Sequence, residues 1–152
     1  MATELGSWFR REMEALDREL TAQPVERADA AWRDGGWTRK QGLGHMLDSA
    51  ANNRQRFVRA ATEGRYAGPK YSQEAWVGAH GYAEQAWETL LGWWRVEHAM
   101  LTAVVERIPE ERLRASCVVG EDAAVTLRYL VEDYVRHQRH HLAQLEADGG
   151  AS

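Results

Sequence analysis

The sequence predicts an all-α protein, a four-helix bundle, and three observations carry that expectation. Apolar residues recur at helical spacing through four long stretches. The chain has only three prolines, the residue that most strongly breaks helices. Glycine or proline stands where most of these stretches should stop.

Leu5, Phe9, Met13, Leu16 and Leu20 share one face, which places the first helix over roughly 4–22. Pro24 and the polar stretch through Gly35 and Gly36 end it. Thr38-Arg39-Lys40-Gln41 reads as a capping box, with the Thr38 hydroxyl accepting from the Gln41 amide while the Gln41 side chain reaches back. A second helix runs from there to about Glu63, before Gly64. Residues 64–72, with Gly68-Pro69, read as a loop, and Gln73 to Ala79 as a short helical turn. The third long helix is expected over 81–107, with Tyr82, Ala86, Leu90, Trp94, Leu101, Val105 and Ile108 on its apolar face and Pro109 closing it. Residues 110–125 form a connection in which Cys117-Val118-Val119 amounts to a turn or a two-residue bridge. Thr126 caps the last helix, which runs to about Ala147 and stops before Gly149-Gly150.

Composition excludes several functions. The 152 residues fit one domain, 1–152, and 44% hydrophobic residues suffice for a core. A net charge of −4 argues against a nucleic-acid-binding surface, which needs clustered excess Lys and Arg. No apolar run approaches the ~20 residues that span a bilayer, and the N-terminus lacks the pattern of a signal peptide, so a cytoplasmic location is expected. With Cys117 as the single cysteine, neither an intramolecular disulfide nor a thiolate-rich zinc site is available.

The last helix carries Tyr134-Val135-Arg136-His137-Gln138-Arg139-His140-His141. At about 100° per residue, Leu127, Leu130, Val131, Tyr134, His141 and Leu145 form an inward stripe. His137 lies on its edge, one turn before His141, and His140 points away. Histidines at i and i+4 project toward a common point, as in helical metal sites, although such a pair serves equally well as hydrogen-bonded core residues. On the second helix, His45, Asp48, Ser49, Asn52 and Arg56 lie opposite the apolar face of Leu43, Met46, Leu47, Ala50, Phe57 and Ala61. Such a stripe either faces solvent or lines a polar pocket, and spacing leaves both open.

The segment Trp37 to Asp48, then Asn53 and Arg56-Phe57, resembles the second helix of the DinB/YfiT-like superfamily. Tyr134-Val135-x-His137-x-x-His140-His141-x-x-Gln144 resembles its closing helix, and Tyr71 to Trp76 and Arg107-Ile108-Pro109 match pieces between them. The likeness spans about residues 5–146. It implies a four-helix bundle with a long crossover between helices two and three, often a homodimer. It also implies a divalent metal ion held by His45, His137 and His141.

Three neutral imidazoles leave coordination positions open, the pattern of a catalytic metal site. Zinc leads among the expected ions, with nickel, iron or manganese as alternatives. Such a site activates water, giving a hydrolase, or holds a thiolate, giving an S-transferase that uses a low-molecular-weight thiol with a small-molecule substrate. The alternatives are a non-catalytic metal- or small-molecule-binding protein, stress-related, and a metal-free interaction module. Glu97, amid the apolar face of the third helix near Trp93, Trp94 and Leu101, is the candidate general base; pairing with an arginine is the competing reading. Asp48 and Asn52 share a face with His45 and are candidates to orient ligands or water. His80 and His98 are expected in surface or packing roles, and Cys117 as a small buried residue. Trp37, Tyr71, Trp76 and Trp94 are candidate pocket walls.

Overall fold

The computed structural model describes residues 3–31 and 36–147. Five α-helices, α1 (Glu4–Thr21), α2 (Arg39–Glu63), α3 (Gln73–His80), α4 (Trp87–Glu106) and α5 (Leu127–Glu146), accompany three short strands, β1 (Arg65–Gly68), β2 (Ser116–Val119) and β3 (Val125–Thr126). The four long helices form the bundle. α1 packs chiefly on α4 and α5, and α2 packs on the same two, so helices consecutive at either end of the chain face each other across the diagonals. The glycines read as helix stops at 35, 149 and 150 lie outside the described residues.

Local chemistry sets these boundaries. Thr38 and Gln41 make both hydrogen bonds of the capping box, and Gly64, at φ 85°, closes α2 in the left-handed region that favours glycine. Thr126 caps α5 by accepting from the Tyr129 amide.

A purely helical fold is corrected by the small sheet. β1 pairs in parallel with β2, Tyr66 opposite Cys117, and β2 pairs antiparallel with β3. Strands of four and two residues are too short for alternation to register in the sequence, so the segment read as a loop and the one read as a bridge form the two halves of one parallel pair. The third long helix also begins later than expected. Gly81, at φ 60°, ends α3, Tyr82–Glu84 forms a 3-10 turn, and α4 starts only at Trp87. Tyr82 is buried as its apolar spacing implied, but from that turn.

The core contains two polar links that hydrophobic periodicity passes over. Gln138 is fully buried on α5; its side-chain carbonyl accepts from Trp94 Nε1 at 3.1 Å and its amide donates to the Met46 carbonyl at 3.1 Å. One glutamine thus ties α4, α2 and α5 together. His98 is also buried. Its Nδ1 lies 2.8 Å from the Trp94 carbonyl and therefore carries the proton, which leaves Nε2 to accept from the Tyr134 hydroxyl at 2.6 Å.

Burial pushes the His98 pKa down from 6.5 to about 4, against a smaller opposing effect of the Trp94 carbonyl. Between these values the unfolded chain binds a proton that the folded chain refuses. The contribution of neutral His98 is complete above pH 6.5 and is lost as pH falls through 4, about 3 kcal/mol in all. The His98 ring resonances are expected to stay unshifted from pH 8 to 5. A titration midpoint near 6.5 would contradict this burial.

Candidate metal centre

Arg39, at the start of α2, is buried and binds backbone carbonyls at the far end of α5. Its Nε donates to the Leu145 carbonyl at 2.9 Å and its terminal nitrogens reach the carbonyls of Ala31 and Ala147. The Leu145 and Ala147 carbonyls lie at the C-terminus of α5, where the helix leaves carbonyls unsatisfied, so a cation there is favoured by both hydrogen bonding and the helix dipole. The clamp fixes the first turns of α2 against the last turns of α5, which carry His45 and His141.

The two imidazoles meet there. His45 Nε2 and His141 Nε2 are 3.1 Å apart with ring planes at 85°. Two imidazole nitrogens at about 2.0–2.1 Å from one tetrahedral ion lie about 3.3–3.4 Å apart, so this spacing needs little adjustment to hold one. His141 Nδ1 lies 3.1 Å from the Gln144 side-chain oxygen, and a proton on Nδ1 leaves the Nε2 lone pair toward His45. Trp37 packs against the His45 ring at 5.1 Å and donates from Nε1 to Glu74 at 3.2 Å. The donor chemistry and the spacing both fit a divalent ion.

His137 is placed differently from its two companions. Its side chain is 62% exposed, with Nδ1 3.8 Å from Asp133. It lines the same cavity as His45 and His141. Among the described residues no three His, Cys, Asp or Glu side chains converge on one point. The structure thus holds a preformed pair of imidazoles with a third ring at the rim of the same cavity. The physical reason is one visible on the helix: His137 sits at the edge of the α5 stripe, so its ring leans toward water. His140, also exposed, lies beside it on the cavity wall with its ring 5.3 Å from that of His141.

The cavity has a volume of about 500 Å³, within the range of small-molecule sites. Its α2 wall is His45, Ser49, Asn53 and Arg56, so three of the five residues of that helix's polar stripe face a pocket. Tyr71 lines the cavity and Trp76 packs edge-on against it at 5.3 Å. Burial raises the Tyr71 pKa, with Asp48 adding to the effect and Arg56 and Ser49 opposing it. The segments that follow β1 and β2 supply Lys70 and Asp122, paired at 3.0 Å.

Other candidates fall outside. Glu97 accepts from Arg54 Nε at 2.8 Å and does not line the cavity, so the structure brings it to an ion pair between α2 and α4. Trp94 belongs to the core. Asn52 donates to the Asp48 carbonyl one turn back, and Asn53, its neighbour, takes the cavity position. Asp48 is buried, accepting from the Tyr82 hydroxyl at 2.6 Å and lying 3.3 Å from His80. Burial raises its pKa, while Tyr82 and His80 pull it back. His80 and His98 thus both have partners, in Asp48 and Tyr134. Cys117 is fully buried with its thiol pKa pushed up to about 11, which suppresses the thiolate.

A family model described as the DinB superfamily matches residues 8–145. The chain belongs to the DinB superfamily. Among curated relatives of this DinB protein, the Bacillus subtilis (strain 168) protein named "Putative metal-dependent hydrolase YfiT" is 27% identical over 131 residues, covering 86% of this chain and 74% of its own. A "Putative metal-dependent hydrolase" of Geobacillus thermodenitrificans (strain NG80-2) is 26% identical, covering 95% of this chain and 83% of its own. The solved structure of YfiT from Bacillus subtilis, described as a probable metal-dependent hydrolase with an unusual four-helix bundle topology, superposes with a TM-score of 0.82 at 23% identity, over 95% of this chain and 86% of that one. A mycothiol-dependent maleylpyruvate isomerase superposes at 0.77 with 15% identity, over 96% of this chain and 61% of that one. At these identities the two structures share the fold.

Gln144, Asn53 and Arg39 are the residues that reading for histidines passed over. The i, i+3 spacing of His141 and Gln144 is a usable signal for the first. Nothing local marks Arg39 as a clamp.

Proposed function

We propose that this DinB protein binds one divalent metal ion through His45, His137 and His141 and uses it on a small-molecule substrate admitted to the adjoining cavity. The observation that carries this reading is the His45–His141 pair at 3.1 Å on the wall of that cavity, with His137 on the same wall. A bound divalent ion would supply Lewis-acid chemistry, lowering the pKa of water toward about 7 or favouring a thiolate. Gln144 holds the tautomer of His141, Trp37 limits the His45 ring, and Asp133 orients His137 from 3.8 Å. Glu97, paired with Arg54, has a structural role in this scheme.

Hydrolysis is the first reading, supported by the names of the sequence relatives. Thiol-dependent transfer or isomerisation is the second, supported by the shared fold of the mycothiol-dependent enzyme. Protein purified without an affinity tag and loaded with one equivalent of zinc is expected to turn over members of an ester and amide panel. Turnover should stop on chelation and return on reloading. Activity only on a panel of thiols with electrophiles would select the second reading. Silence on both, with metal bound, would leave a binding protein.

The homodimer implied by the family likeness has an exposed apolar stripe available on α4, formed by Trp93, Val96 and Met100. Sedimentation of the wild type and of Val96→Glu measures whether that face is used. No helix among the described residues is long and apolar enough to cross a membrane.

A further inference from the structure

Arg56 is the cavity residue that the metal chemistry leaves unexplained. It lines the same cavity as His45, His137 and His141, and only 8% of its surface is exposed. Its one hydrogen bond among the described residues is a long one, Nη1 to the Asn53 side-chain oxygen at 3.5 Å. No described carboxylate forms an ion pair with it. The acids nearest in the chemistry of the cavity are engaged elsewhere: Asp122 by Lys70 at 3.0 Å, Asp133 by Arg136 at 3.3 Å, and Asp48 by Tyr82 and His80.

A guanidinium keeps its charge at neutral pH and offers five N–H donors in a planar fork. Burying such a cation without an opposite charge costs several kcal/mol, so a buried guanidinium calls for an anionic partner, which a ligand in the cavity can supply. The fork matches a carboxylate in two parallel hydrogen bonds. A phosphate, with close to two charges, calls for a second cation, and the other cation on the wall, Lys70, is held by Asp122.

We propose that Arg56 forms a carboxylate-binding subsite, so that the cavity takes an elongated small molecule with a carboxylate at one end and its reacting group at the imidazole pair. This rests on the reading of that pair as the reactive centre. His45 and Arg56 are separated by eleven residues of α2, about 16 Å of helix rise. Arg56 folds back along α2 toward Asn53, in the direction of His45, which shortens the span. The wall between them is Ser49, Asn53 and Tyr71, a hydroxyl, an amide and a phenol suited to a polar molecule lying lengthwise. Arg56 sets which substrate is held and where; it does not touch the reacting atoms.

The test follows the Arg56 Nε–H resonance by NMR as sodium succinate is added at constant ionic strength, in metal-free and zinc-loaded wild type. A saturable shift at Arg56 is expected in both. In zinc-loaded Arg56→Met, succinate affinity should fall at least tenfold while zinc affinity stays within twofold, and Arg56→Lys should fall between the two because it keeps charge but loses the fork. The metal-free arm separates this inference from the metal reading, since it reports on the subsite even in a protein that binds no zinc. The wild-type titration stands whether or not the variants fold. Absence of a saturable shift at Arg56, unchanged succinate affinity in Arg56→Met, or tighter binding of inorganic phosphate than of succinate would each overturn the proposal.

Discussion

His141→Ala is expected to weaken binding of a divalent cation at least a hundredfold, with the fold intact. Losing an outer partner of a metal ligand typically costs 10–100-fold, and losing the ligand itself costs more. His141 supplies half of the preformed pair, and its Nε2 points at His45 because Gln144 occupies Nδ1. His45→Ala should match it. Gln144→Ala should fall in the 10–100-fold range, because the ligand remains and only its tautomer and orientation are released. The same ranking should appear in heat stability: at a hundredfold excess over Kd a ligand adds about 2.7 kcal/mol, so wild type gains on zinc addition and His141→Ala does not. Competition with a chromogenic chelator measures the affinities. Equal affinity in wild type and His141→Ala would place the metal elsewhere.

Gly44→Ala is expected to destabilise the protein by about 3 kcal/mol, opposite in sign to what helix propensity alone predicts. In a helix interior alanine is favoured over glycine by about 1 kcal/mol. At Gly44, however, an added Cβ would lie 2.0 Å from Tyr82 Cδ2 and 2.3 Å from Cγ. The Tyr82 ring is buried, stacked on His80 at 12° between planes, and tied through its hydroxyl to Asp48. It can yield only by giving up those contacts, and overpacking of this kind costs about 1–3 kcal/mol or more. For a chain of this size that corresponds to a fall in Tm of roughly 6–12 °C. Metal affinity should fall as well, since residue 44 adjoins His45. Gly92→Ala is the control: its added Cβ meets nothing within 4 Å, so there the propensity gain of about 1 kcal/mol should appear in full. Thermal melts of both variants decide the matter, and a stabilised Gly44→Ala would show that Tyr82 is not held in place.

Much of the bundle can be read from residue order because its determinants are local. Thr38 and Gln41 cap α2 through bonds three residues apart, and Thr126 does the same for α5. The sheet could not be read, because β1 and β2 lie about fifty residues apart and each is too short to carry a period of two. The start of α4 was hidden for a related reason: Tyr82 is buried by packing on Gly44, a tertiary contact, and its burial imitates a helical face. At the site, the sequence pattern left the His45 stripe undecided between solvent and pocket. Arg39 resolves it by clamping α2 to the end of α5, a long-range contact that no window of residues contains. His137 was seen at the edge of its stripe, and that edge position is why its ring stands at the rim. Glu97 lies on the apolar side of α4 by spacing, yet Arg54 on the neighbouring helix reaches it, which periodicity within one helix does not report.

The central claim is that His45, His137 and His141 hold one ion between α2 and α5. X-ray absorption of tag-free protein carrying one equivalent of zinc tests it most directly, by counting the imidazoles around the metal. Three in the wild type, and two in His137→Ala, are the numbers this account requires. A zinc shell with fewer than three imidazoles in the wild type, or one unchanged by removing His45 or His141, would contradict it.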